Sequence, residues 1–327
     1  MSKELLRIEN LNVHFEINGA KAKAVDGLDI SIYEGEFLGL VGESGSGKSV
    51  TALSILRLIP DPPGKICGRI IFKERNLLEL SWEEMRKIRG NKISMIFQEP
   101  MTSLNPLFTV GYQIMEPLIV HKNMNKKEAK EVAISLLRKV GIPSPELRIN
   151  EYPHRLSGGM RQRVMIAIAL SCEPEFLIAD EPTTALDVTV QAQILRLISE
   201  IKNKKKESAI LLITHDLGVV AETCVRVAVI YCGKIQEIAR TITLFENPLH
   251  PYTKGLLESL PRLEERKNRL KVIPGNVPNI IEIPPGCPFH PRCKYKMPIC
   301  ERVVPELIKV EKEHSVRCHL YERRRID

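Results

Sequence analysis

Apolar residues recur along this chain in two rhythms. Near the N-terminus they form short, partly alternating runs, Leu5-Leu6-Arg7-Ile8-Glu9, Leu11 to Ile17 and Leu28-Asp29-Ile30-Ser31-Ile32, with Asn18-Gly19 as a turn signal. That pattern predicts a strand-rich opening. Glu36-Phe37-Leu38-Gly39-Leu40-Val41 is a compact apolar run, and Val50 to Leu58 places apolar residues at helical spacing; the two read as a buried strand and a helix. Pro60-Asp61-Pro62-Pro63-Gly64 stops that helix. Gly68 to Phe72 predicts a strand, Ser81 to Arg89 a short polar helix, and Lys92 to Gln98 a further strand. From Gln98-Glu99-Pro100 to about residue 165 the rhythm is mainly helical, as in Lys127 to Val140, with loops over 143–153. This is an inserted helical subdomain. Regular alternation then returns with a buried strand at Glu175 to Ala179, an amphipathic helix at Thr189 to Lys202 and a strand at Ala209 to Ile213. Val225 to Tyr231 and Lys234 to Ile238, joined by Cys232-Gly233, read as a hairpin. Near His250-Pro251-Tyr252 the alternation ends, and the tail from about 261 is rich in proline, cysteine and charge. The expected fold is therefore α/β over residues 1–255, with a small Cys-rich extension over 256–327.

Between the buried strand and the helix lies Gly42-Glu43-Ser44-Gly45-Ser46-Gly47-Lys48-Ser49, which matches G-x-x-x-x-G-K-[ST]. Strand, glycine-rich loop and helix start are the context of a phosphate-binding loop. Its glycines let backbone N–H groups curl around phosphate oxygens, and the helix N-terminus adds a favourable dipole. In that role Gly42, Ser44, Gly45, Ser46 and Gly47 cradle the nucleotide, Lys48 reaches the β and γ phosphates, and Ser49 holds Mg²⁺. The bland alternative, a strand-to-helix turn with no ligand, does not account for the Lys-Ser pair.

Two more stretches carry chemistry. Phe176-Leu177-Ile178-Ala179 leads to Asp180-Glu181-Pro182, so one carboxylate emerges at a strand end where it can serve Mg²⁺. Glu181 follows as the candidate general base that polarises the attacking water. Either carboxylate alone reads equally well as a solvated turn. Leu156-Ser157-Gly158-Gly159-Met160 precedes a helix; Ser157 is a good N-cap, and the two glycines leave amides open to an anion.

Composition narrows the class only a little. The chain has 327 residues, 43% of them hydrophobic, enough for a large domain and a small one. No apolar run approaches the roughly 20 residues needed to span a bilayer, and Met1 to Arg7 has no apolar core of a secretory signal. A cytoplasmic protein is expected. The net charge of +8 admits a polyanionic partner, but basic residues are scattered, and 5% aromatic content offers few stacking platforms. No nucleic-acid partner is expected. Of eight cysteines, Cys67, Cys172, Cys224 and Cys232 read as buried small hydrophobes.

Taken together, the motifs resemble those of the ATP-binding subunits of ABC transporters, over roughly residues 4–255. Leu156 to Met160 resembles the family signature, Asp180-Glu181 its acidic strand end, Ala185-Leu186-Asp187 its D-loop. Gln98 takes the place of the Q-loop glutamine, His215 that of the switch histidine, and Phe15 that of an aromatic stacked on adenine. The resemblance implies that Gln98 also serves Mg²⁺ and that Gln98 and His215 assist hydrolysis. It implies too that Ser157, Gly158, Gly159 and Asp187 face the nucleotide of a second ATP-binding subunit, identical or homologous. Mg-ATP would close such a dimer, and hydrolysis would reopen it. Gln98 to Pro106 and Asn247 to Lys254 resemble the dipeptide/oligopeptide (and nickel) importers. This branch implies two transmembrane permease subunits, an extracytoplasmic peptide-binding protein and a place on the cytoplasmic face of the membrane. A nickel importer and a soluble ABC ATPase not coupled to transport are the alternatives.

Cys287, Cys293, Cys300 and Cys318 stand apart as C-x5-C-x6-C-x17-C. Four clustered thiols in a reducing compartment suit a thiolate metal site, and none of the C-x2-C spacings that favour structural zinc is present. His290, His314 and His319 keep a mixed Cys/His zinc site open. The tail resembles the C-terminal extension of peptide-importer ATPases, which implies a [4Fe–4S] cluster on the four cysteines; zinc ranks second and free thiols third.

Overall fold

A computed structural model of the chain describes residues 3–17, 19–183, 187–260 and 272–324. Asn18, Ala185-Leu186 and the start of the tail lie outside the described residues. The chain divides into two compact units, one mainly of Tyr33–Glu36 and Glu79–Leu212, the other of Glu4–Ile32, Phe37–Leu78 and the chain from Ile213.

The chain opens with β1 (Glu4–Ile17) and β2 (Ala20–Tyr33). The break read between Glu9 and Leu11 is a bulge within one strand: Asn10 has φ 47°, and the pairing of β1 shifts between Glu9 and Asn12. Next come β3 (Phe37–Val41), α1 (Lys48–Ile55), β4 (Gly64–Phe72) and the short β5 (Arg75–Asn76). β2, β1, β4 and β5 form a four-stranded sheet in that order. Cys67 corrects the expectation of a buried thiol. It is exposed, because β4 leaves Cys67, Gly68 and Arg69 open to solvent before burial resumes at Ile70.

The other unit continues with α2 (Trp82–Ile88), started by a Ser81/Glu84 capping box, and the wholly buried β6 (Ile93–Ile96). Helices follow: α3 (Pro100–Ser103), α4 (Val110–Lys122), α5 (Lys126–Lys139), the single-turn α6 (Pro145–Arg148) and α7 (Gly158–Leu170). Asn123 in the left-handed region ends α4, and Asn125 caps α5. β7 (Phe176–Asp180), α8 (Val188–Lys204) and β8 (Ala209–Ile213) complete this unit. Its strands run in the order β8-β7-β6, with β6 and β7 parallel. Continuous apolar runs such as Phe176 to Ala179, buried on both faces, are what parallel strands demand.

From Ile213 onward the chain forms α9 (Leu217–Thr223), β9 (Arg226–Tyr231), β10 (Lys234–Arg240), α10 (Thr241–Glu246) and α11 (Pro251–Glu258). A second hairpin, β11 (Ile308–Glu311) and β12 (His314–Val316), lies in the tail. The strands of this unit run β11-β12-β10-β9-β3, with β3 parallel to β9. The hairpin escaped the sequence reading, since three- and four-residue strands carry almost no periodicity. β12 pairs with β10 through Glu237 opposite Val316 and Ile238 opposite Ser315. Leu249, Ile308, Val316 and Cys318 form a small core there.

Glu237 is fully buried. Its carboxylate accepts from the N–H groups of Leu249 (2.7 Å) and His250 (2.8 Å) and pairs with His314 Nε2 (2.7 Å). Those partners satisfy a group that would otherwise be costly to bury. His250 is also buried, and its Nδ1 accepts from Tyr252 N at 3.0 Å. Burial lowers its pKa to about 4, with Glu237 opposing and Arg317 and Lys254 adding to the shift. The unfolded chain, with an ordinary histidine near 6.5, then binds the extra proton first. Stability contributed by neutral His250 is present above pH 6.5 and is lost as the pH falls toward 4, by up to about 1.4 kcal/mol per pH unit. Urea titrations between pH 7 and 5 are expected to show this slope in the native chain and a shallower one in His250→Asn, which keeps a capping side chain. Equal slopes would mean that the buried imidazole does not govern acid stability. Among the described residues no helix is long and apolar enough to cross a membrane.

Candidate functional site

The glycine-rich loop leaves β3 and enters α1 as the sequence predicts. Gly47 is the N-cap of α1 at φ 104°, with no side-chain cap and no acidic residue in the first turn. Only glycine fits: a Cβ at Gly47 would lie 2.5 Å from the Ala24 carbonyl oxygen. The helix start therefore keeps its donors and its positive end for an anion. Lys48 is buried, and its Nζ donates to the carbonyls of Gly42 (2.7 Å) and Glu43 (2.9 Å), curling the loop over itself. Ser46 Oγ is buried without a partner among the described residues. A loop with a cation at its centre and an unsatisfied hydroxyl suits a phosphate. Ser49 is half-buried in the first turn of α1, and Ser44 and Gly45 are exposed. Phe15, half-buried near the end of β1, pairs opposite Gly64, and His215 follows β8 as an exposed residue.

The other unit carries the remaining residues. Asp180 ends β7 and is buried. Glu181 follows in the left-handed region at φ 46°, a conformation rare for a residue with a Cβ. Gln98 Nε2 donates to Glu181 Oε2 at 3.2 Å, so two candidate catalytic residues 83 positions apart are in contact. Ser157 caps α7 by accepting from Met160 N at 3.3 Å. A Cβ at Gly158 would meet nothing within 4 Å; internal packing does not require glycine there, and close approach of an outside group would. Gln162, buried within α7, donates to the Pro182 carbonyl and so ties the Ser-Gly-Gly helix to the turn carrying Glu181. Asp187 accepts from Val190 N at 3.0 Å as the cap of α8.

One partner set was missed in the sequence. Glu43, a variable position of the phosphate-loop pattern, donates its N–H to Tyr252 Oη at 2.8 Å, and its carboxylate is paired with Arg292. No local signal announces contacts across 209 and 249 positions.

The model for "ABC transporter" matches residues 25–184, and that for "Oligopeptide/dipeptide transporter, C-terminal region" matches 236–300. The chain is 52% identical to a dipeptide transport ATP-binding protein of Bacillus subtilis, covering 98% of this chain and 96% of that protein. It is 54% identical to an oligopeptide transport ATP-binding protein of the same organism, covering 97% of each. The chain belongs to the peptide-transporter family of ABC ATP-binding subunits. It is an ABC-type ATPase. Solved relatives agree in fold: a dimeric ATP-binding cassette in a post-hydrolysis state, bound to ADP and Pi, superposes with TM-score 0.66 at 28% identity, covering 72% of this chain and 98% of that one.

In this ATP-binding subunit the four tail cysteines line one small cavity, beside His290 and His319. Burial pushes Cys287 up to about 11 and Cys318 up to about 12, and raises Cys293 as well. Backbone N–H groups oppose that shift, from Phe289 on Cys287, Tyr295 on Cys293 and Leu320 on Cys318. Met297 N donates to Cys300 Sγ at 3.5 Å. Each sulfur thus has a main-chain donor, a feature that suits thiolate ligands. His319 engages Glu322 and the Val303 carbonyl through its two ring nitrogens, and His314 pairs with Glu237. Among the described residues no group of three or more His, Cys, Asp or Glu is set to hold a metal ion.

Proposed function

We propose that this ATPase powers import of di- and oligopeptides through an ABC transporter. Family membership over the full length carries the reading, through near-complete alignment with dipeptide and oligopeptide transport subunits. Gly42 to Ser49 and Phe15 hold ATP. Ser49, Asp180 and Gln98 offer the hard oxygen ligands that Mg²⁺ prefers, and bound Mg²⁺ neutralises charge on the phosphates. Glu181 takes the proton from the attacking water, with Gln98 and His215 orienting it. Ser157, Gly158, Gly159 and Asp187 face the nucleotide of a second ATP-binding subunit.

Two transmembrane permeases and an extracytoplasmic peptide-binding protein complete the importer, with this chain on the cytoplasmic face of the membrane. A permease dock is supported by a groove of about 620 Å³ lined by α2 and α4, including Arg86, Glu116 and Val120. Exposed Leu107, Phe108 and Tyr112 lie along the same stretch of chain. Reconstitution with the two permeases and the binding protein is expected to give ATP-dependent accumulation of labelled dipeptide or oligopeptide. Accumulation of nickel alone would assign the alternative substrate.

Residues 100–165 act as the helical subdomain and 256–327 as the Cys-rich extension. Cys287, Cys293, Cys300 and Cys318 hold a [4Fe–4S] cluster, whose role is to fix loops that have little apolar material of their own. One cavity lined by all four thiols, each sulfur with a main-chain donor, supports this reading. Anaerobically purified chain is expected to contain iron and acid-labile sulfide near four each per chain, the composition of one [4Fe–4S] cluster. About one zinc per chain with no iron would assign zinc instead.

A further inference from the structure

We propose that Arg292 and Tyr252 are positioning residues for the phosphate loop, holding Glu43 and thereby setting the affinity for nucleotide. The proposal rests on Gly42–Ser49 being that loop. Glu43 is fixed at three points. Its N–H donates to Tyr252 Oη at 2.8 Å, its carbonyl accepts from Lys48 Nζ at 2.9 Å, and its carboxylate receives a two-pronged contact from Arg292 (2.6 and 3.0 Å).

The guanidinium is itself anchored. Its side chain is only 4% exposed, and Nε donates to the Pro274 carbonyl at 2.9 Å. Nη1 donates to Tyr231 Oη at 3.3 Å and Nη2 to the Ile273 carbonyl at 3.4 Å. The rings of Tyr231 and Phe289 lie 5.8 and 6.0 Å from its central carbon. Arginine suits this place because its planar fork matches a carboxylate while the remaining donors reach backbone.

Two physical effects follow. A loop whose backbone is fixed in advance loses less conformational freedom when nucleotide binds. The second effect is charge. A carboxylate within the loop repels the phosphates of ATP, and the close guanidinium neutralises it. Arg292 lies in the turn between Cys287 and Cys293, so the residue that neutralises the loop is carried by the cysteine-lined tail.

Neutralisation of Glu43 by Arg292 has a consequence that simple packing would not give. With the full-length chain, calorimetry in Mg-ATP is expected to show about a tenfold weaker Kd for Arg292→Ala, and the loss in steady-state turnover is expected to fall on KM more than on kcat. Arg292→Ala combined with Glu43→Gln is expected to bind ATP more tightly than Arg292→Ala alone, because the unpaired charge is gone. An unchanged Kd in Arg292→Ala, or no recovery in the double variant, would overturn the proposal. If Arg292→Ala does not fold, Tyr252→Phe removes a single hydroxyl and is expected to weaken ATP severalfold; unaltered affinity there overturns the proposal equally. Lys48→Ala separates the two readings. Its ordinary affinity would sink the phosphate-loop assignment, whereas its loss of binding beside a normal Arg292→Ala would sink only the clamp.

Discussion

Glu181→Gln is expected to bind Mg-ATP with ordinary affinity and to lose turnover by about 10²- to 10⁴-fold, the usual contribution of a positioned base. The substitution keeps the shape of the side chain and removes the proton-accepting charge. β7 delivers the residue: its five buried positions end at Asp180, and the chain then turns through the left-handed conformation at Glu181. Such a backbone is held only where surrounding structure fixes it. Gln162 from α7 grips the next carbonyl, at Pro182, and Gln98 touches the carboxylate at 3.2 Å. Binding by calorimetry and phosphate release by a coupled assay, measured on one preparation, separate affinity from chemistry. Turnover within twofold of the native chain would remove Glu181 from the role of base.

The second large effect belongs to Lys48. Lys48→Ala is expected to weaken ATP about 10- to 100-fold, which corresponds to losing one or two hydrogen bonds to a charged group. The amine closes the loop by bridging the Gly42 and Glu43 carbonyls at 2.7 and 2.9 Å. Removing it takes away the cation and loosens the carbonyls together. Calorimetric affinity equal to that of the native chain would contradict this assignment.

Much of this architecture was legible in the sequence because its signals are local. The strand, loop and helix around Gly42–Ser49 follow one another within 20 positions, and the apolar run Phe176 to Ala179 ends in its carboxylates without interruption. Capping by Ser157 could be read in the same way, from a hydroxyl just ahead of two glycines. What stayed hidden is long-range or too short to be periodic. Glu43 gives no hint that Arg292 reaches it, and Glu237 reads as one polar residue in a hairpin although it collects donors from Leu249, His250 and His314. The β11–β12 hairpin is too brief to leave an alternating pattern. Cys67 is exposed because strand membership does not imply burial: β4 leaves that part of its length to solvent.

The pairing of β12 with β10 has a consequence for how this protein can be cut. A strand left without its neighbour is an open template for association with other chains. Truncation near residue 255 would bare the β10 edge and strip His314 from the buried Glu237 carboxylate. It would also leave Glu43 without its guanidinium. The shortened chain is expected to aggregate, as size-exclusion chromatography would reveal, so the tail behaves as a structural seal on β10 and on the loop that carries Glu43.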